Sequence, residues 1–179
     1  MEKQTKIQIY VLLIGVLIGA GVSLANSLIL WNNSLAKEKS DIAEGLYLDV
    51  AGLEDSLLLA DYEFQYHYDD CDADIFVQST PLYPANGLYY AYQRDIPKLD
   101  RGIARDTFAF YDHLLQAERD RSLIYEINRQ GDVRNLTASE LRREEILVQN
   151  VAREVNISVS LLPSLKQELD ASTSYKALV

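Results

Sequence analysis

The stretch IQIYVLLIGVLIGAGVSLANSLILW, Ile7 to Trp31, decides how the rest of the chain is read. It runs 25 residues without a charge, and its polar members are Gln8, Ser23, Asn26 and Ser27. A helix rises 1.5 Å per residue, so a hydrocarbon layer of ~30 Å takes ~20 such residues. Tyr10 and Trp31 stand near the two ends, where interfacial aromatics belong. A cleaved signal peptide needs a shorter apolar run, ~7–15 residues, closed by a small-x-small site. The sites here, around Ala25, are imperfect and lie inside the run. The stretch therefore predicts an uncleaved transmembrane helix over 7–31, after a tail of residues 1–6. No other apolar run of this length exists, so the chain is expected to cross once.

Small residues recur every fourth position at Gly15, Gly19, Ser23 and Ser27. On a helix they form one row, and such a row lets a second helix approach closely. The expected partners are thus the lipid bilayer and, through this row, a second copy or another membrane protein. Lys3 and Lys6 before the span nearly balance Lys37 and Lys39 after it. Asn32, Asn135 and Asn156 each begin an N-x-Ser/Thr acceptor pattern. On that pattern the soluble part is expected on the outer side of the membrane.

Residues 32–179 are strongly acidic. The whole chain has 17 Lys and Arg against 27 Asp and Glu, a formal charge of −10. An acidic surface does not suit nucleic acid, whose phosphates need clustered cations. With one cysteine in the chain, a disulfide framework and a multi-thiolate zinc site are both excluded.

Three apolar stripes with helical spacing predict an all-α fold. The first runs through Ile42, Leu46, Val50, Leu53, Leu57, Ala60 and Phe64, in steps of three and four. No proline separates it from the apolar stretch, so one helix can carry both. The second runs through Leu99, Ile103, Phe110, Leu114, Ala117, Ile124 and Ile127, with Gly131 as its C-terminal stop. The third holds Leu141, Val148, Val151, Val155, Leu162, Leu165 and Leu169. Thr137-Ala-Ser-Glu140 has the spacing of a capping box and should start it. Pro163 lies inside and predicts a kink or break. The expected soluble helices cover about 41–68, 95–130 and 138–170. Their arrangement is expected to be an antiparallel up-down-up bundle on a membrane stalk. The link from Tyr68 to Asp95, with Pro81, Pro84 and Gly87, should hold a short helix or turn of its own. In this arrangement the acidic, Tyr-rich link is the distal tip, ~50 Å from the bilayer. Arg129, Arg134, Arg142 and Arg143 then fall near the membrane beside Lys37 and Lys39.

Chemistry-bearing patterns are sparse. Asp70, Asp72 and Asp74 match the opening of a calcium loop, but Ile75 stands where glycine is needed and Pro81 where glutamate is needed. They are weak metal candidates, and an acidic solvated turn is the simpler reading. Seven tyrosines fall between Tyr62 and Tyr92. Tyr62, Tyr66 and Tyr89 are expected to pack the bundle end. The turn at Tyr83-Pro84-Ala85-Asn86-Gly87 is expected to be exposed, and Tyr83, Asn86, Tyr90 and Tyr92 are the candidate partner-binding residues. His113 borders the second stripe as a core-edge histidine bonded to a neighbour. Cys71 has no partner thiol and lacks the positioned base that catalysis needs, and His67 lies beside the acidic run, where its charge can shift with pH.

No nucleotide-binding, metalloprotease, di-iron or serine-hydrolase motif occurs, and no cofactor is implied. The chain is therefore expected to be no enzyme. The order of one apolar span followed by long helices resembles the ligand-binding bundles of chemoreceptors, and no motif names a family. The expected function is that of a single-pass anchored helical bundle with a structural or protein-binding role. The alternative is a sensor-like module for a small ligand or cation.

Overall fold

A computed structural model describes residues 2–67, 81–130 and 137–173. Among them the backbone is helix and turn, without strands. Helix α1 spans Glu2–His67, 66 residues. A short helix α2, Leu88–Tyr92, and a 3₁₀ turn, Ile96–Lys98, follow. Helices α3, Arg101–Gln130, and α4, Ala138–Thr173, complete the order.

Helix α1 is continuous because nothing in it stops a helix: it has no proline, and its glycines are isolated. At 1.5 Å per residue it is ~100 Å long. The described side chains of its first part are exposed. Leu12, Leu17, Leu24, Leu30 and Trp31 are exposed, as are their neighbours. From Ser40 onward the same helix builds the core, burying Ile42, Leu46, Val50, Leu53 and Leu57. Each such leucine or isoleucine contributes ~1.5–3 kcal/mol when it leaves water.

Helix α4 lies against both α1 and α3. It buries Leu147, Val148, Val151, Val155, Leu162, Leu165 and Leu169, joining Phe110, Leu114, Ala117 and Ile124 of α3 in one core. The start of α4 is held by Thr137 and Glu140. The Thr137 backbone N–H donates to the Glu140 carboxylate at 2.8 Å, and the Glu140 N–H donates back to Thr137 Oγ1 at 3.4 Å. These are the two reciprocal bonds of a capping box.

Directions follow from the cross-helix bonds. Ser40 Oγ donates to the Thr173 carbonyl, Lys166 pairs with Glu54, and the Asn156 amide donates to Asp61. Numbers rise on α1 as they fall on α4, so these two are antiparallel. Lys98 pairs with Glu38, Lys39 with Asp100, and Tyr111 donates to Asp49. Here numbers rise together, so α3 runs parallel to α1.

This corrects the up-down-up expectation. Residues 81–99 form a strap that descends along α1, and α3 then climbs beside α1 before α4 returns. Two placements change with it. The strap tyrosines sit level with Gly45 and Asp49, on the flank of the bundle and not at its tip. Arg142 and Arg143 open α4, ~45 Å along that helix from the Thr173–Ser40 end, and so do not join Lys37 and Lys39.

Two further expectations are revised. Of the kink or break expected at Pro163, the break does not occur: helix α4 runs on through it. Pro163 is on the solvent side, where water can serve the carbonyl it leaves unbonded. Leu141, assigned to the third stripe, is 51% exposed. Phe64 and Gly131 lie outside the residues whose side chains or backbone are described.

Candidate functional site

The densest polar construction joins α1, the strap and α3 at Asp49. This residue borders the buried stripe of α1, next to Val50. Tyr83 and Tyr111 each donate a phenolic O–H to Asp49 Oδ2 at 2.7 Å. The backbone N–H groups of Leu88 and Tyr89 reach the same carboxylate at 3.2 and 3.3 Å. Helix α2 has no capping side chain of its own at Gly87. Asp49, some 40 residues earlier, supplies that cap from another helix, satisfying donors that a helix start leaves free.

The rings around this carboxylate form a cluster. Tyr89 stacks on Tyr111 at 4.1 Å between centroids, and Tyr83 meets Tyr111 edge-on at 5.6 Å. Tyr83 also packs over Gly87, and Tyr92 over Gly45; an added methyl at either glycine would overlap the ring. Burial, together with the neighbouring Asp49, pushes the Tyr83 and Tyr111 hydroxyls well above the usual phenol range. Tyr89 is raised too, chiefly by burial. These hydroxyls therefore stay protonated as donors. The arrangement is a latch that fixes the strap.

Glu118 anchors the strap's start. It accepts the Leu82 N–H at 2.8 Å and holds the Arg121 guanidinium through both oxygens, at 2.9 and 2.6 Å. Across the α3–α4 contact, His113 Nδ1 lies 2.6 Å from Glu154 Oε2, and Arg153 donates to Glu154 Oε1. Burial alone raises the Glu154 carboxyl. The bonds from His113 and Arg153 outweigh it and hold the group below the usual carboxylate range. His113 is thus a core-edge histidine with a named partner.

The residues singled out from sequence separate in space. Gly15 and Gly19 have nothing within 4 Å of an added Cβ, Ser23 and Ser27 are exposed, and Ser27 Oγ bonds the Ser23 carbonyl. Tyr83, expected on an exposed turn, is 3% exposed, because its ring fills the gap between α1 and α3. Tyr92 is half-buried, while Asn86 and Tyr90 face solvent. Tyr89 is buried as expected, but Tyr62 is 58% exposed. The side chains of Tyr66 and His67, and the residues Asp70, Cys71, Asp72 and Asp74, lie outside the described set. Among the described residues no cluster of three His, Cys, Asp or Glu side chains is placed to hold a metal. Asp49 was missed from sequence: a lone aspartate beside an apolar stripe gives no sign of tyrosines 34 and 62 residues away.

Comparison with protein-family models, with curated proteins and with solved structures gave no match.

Proposed function

We propose that this chain is a single-pass membrane protein whose 7–31 segment anchors a three-helix body with a structural or protein-binding role. The supporting observation is that one unbroken helix carries both parts. Among the described residues α1 alone is long and apolar enough to cross a membrane, and none of its most apolar window is buried. Large apolar side chains left bare over such a length call for lipid or a partner. On this reading the three-helix body stands on its anchor as on a rod, on the outer side of the membrane. The row Gly15, Gly19, Ser23 and Ser27 pairs with a second copy or another membrane helix. The strap presents Asn86 and Tyr90 to a protein partner, with the half-buried Tyr92 at its edge; Tyr83 serves the latch instead.

Alkaline-carbonate washing of membranes, with intact-mass measurement of the mature chain, tests the anchor. The expected result is a chain that stays in the pellet and keeps residues 7–31. Release into the wash, or a mature chain beginning beyond Trp31, refutes it. Crosslinking in mild detergent tests the pairing. Wild type should give a dimer or a mixed product that Gly19→Leu abolishes, and no product from wild type refutes the row's role.

A further inference from the structure

The outward side of α1 carries a second seam. Leu48, Gly52, Asp55, Leu59 and Tyr62 follow one another in steps of four and three, the spacing by which one helix packs along another. Leu48 and Leu59 each stand two residues from a core leucine, Leu46 and Leu57. Two residues are ~200° of helical turn, so the seam faces away from the core. All five positions are exposed, Leu48 by 58% and Leu59 by 57%. Nothing lies within 4 Å of a Cβ added at Gly52, so a second backbone can come close there. Leu88 of the strap, also exposed, stands at this level of α1, its N–H bonded to Asp49. Apolar side chains ranked along one face, unlike single ones scattered over a surface, mark a site of association.

Charge decides the occupant. From Ser40 to His67 the helix holds seven Asp and Glu and no Lys or Arg. Asp49 serves the latch, and Glu54 holds Lys166. Asp41, Glu44 and Asp55 are exposed and form no ion pair among the described residues; Lys166 senses Asp55 but is bound to Glu54. Asp55 is also the middle position of the five. A second copy laid on the seam would set Asp55 against Asp55 whether the two helices ran parallel or antiparallel, and like charges at the centre of a contact oppose it. A cation at that place does the reverse, and one polar position in a seam selects partner and register.

We infer that the outward face of α1 docks an amphipathic helix of another protein, with apolar residues against Leu48, Leu59 and Tyr62 and a Lys or Arg against Asp55. This rests on the protein-binding reading above and gives it a surface separate from Asn86 and Tyr90. The assay below reads the α1 face alone, so its failure leaves the strap and the anchor standing, and failure of the anchor leaves its result standing.

The probe is a fluorescein-labelled synthetic helix of ~21 residues, three heptads, with leucines along its seam and one lysine at the central seam position. A twin carries glutamate there. The full chain in nanodiscs of zwitterionic lipid is titrated against each and read by fluorescence anisotropy, with empty nanodiscs as the blank. The lysine helix should bind saturably with a Kd of ~10–100 µM, and the glutamate twin at least tenfold more weakly. Asp55→Lys should invert that order, and Asp55→Asn should erase it. Leu59→Ser should weaken both helices severalfold, while Glu126→Lys, an exposed charge reversal on α3, should leave the order as in wild type. All four sites are on the surface, so each variant should melt close to wild type. No saturable binding, equal affinities for the two probes, an order unchanged in Asp55→Lys or an undiminished response in Leu59→Ser overturns the inference. So does efficient disulfide trapping of Leu59→Cys dimers in a Cys71→Ser background, which would give the face to a second copy.

Discussion

Replacing Asp49 with alanine tests whether the latch holds the strap. The substitution removes the acceptor of two phenolic hydroxyls, each bonded at 2.7 Å, and the cap of α2. Tyr83 and Tyr111 are both buried, so their hydroxyls cannot turn to water instead. Leaving a buried donor unpaired costs ~1–3 kcal/mol, and loss of a cap ~1 kcal/mol. Asp49→Ala should therefore cost ~3–7 kcal/mol, a fall in Tm of roughly 10–20 °C for a body of this size. The assay is urea or thermal unfolding of the full chain in detergent, followed by far-UV circular dichroism. Tyr111→Phe decides whether the bond itself is responsible. In the wild-type background it should cost ~1–2 kcal/mol. In the Asp49→Ala background it should cost little, because the hydroxyl it deletes is already unpaired. A coupling of ~1–2 kcal/mol between the two sites is expected. An Asp49→Ala loss under 1 kcal/mol, or strictly additive losses, refutes the latch.

Three further outcomes follow from the same geometry. Tyr83, Tyr89 and Tyr111 have folded pKa values above the unfolded value of ~10, so the native state keeps protons that the unfolded chain gives up. Their stabilisation is intact below pH ~10 and is lost as pH rises further, by up to ~1.4 kcal/mol per unit for each group; absorbance at 295 nm should show Tyr83 and Tyr111, of the 12 tyrosines, ionising only on unfolding. Glu154 has the opposite sign: its lowered carboxyl contributes above pH ~4.5 and loses that contribution as pH falls through the folded value, so Glu154→Gln should flatten acid unfolding curves in that window. Gly52 is open on α1 while Gly45 faces the Tyr92 ring, so Gly52→Ala should stabilise by ~1 kcal/mol and Gly45→Ala should gain less or lose, as equilibrium unfolding will show.

The helix faces were readable from sequence because burial follows the 3.6-residue period. Ile42, Leu46, Val50, Leu53 and Leu57 are buried as their spacing predicts, and so are Phe110, Leu114, Val151 and Leu165. Direction was not readable, since a stripe is the same run upward or downward. The sense of α3 depends on the strap, and the strap depends on Asp49 meeting tyrosines far along the chain. Local rules also failed where solvent intervenes. Pro163 was expected to kink or break α4, and the break does not occur, because its exposed side lets the helix continue. Leu141 keeps the core spacing yet lies at a helix start where no described side chain covers it.

The unbroken course of α1 has a mechanical consequence. About 36 residues separate Trp31 from the helix end at His67, a lever arm of ~54 Å. Membrane helices tilt by about 20° on average, and the tilt responds to bilayer thickness. On the anchoring proposed here, such a tilt swings the far end of α1 sideways by ~18 Å. A small change in the lipid would thus be magnified into a large sweep of the body above it.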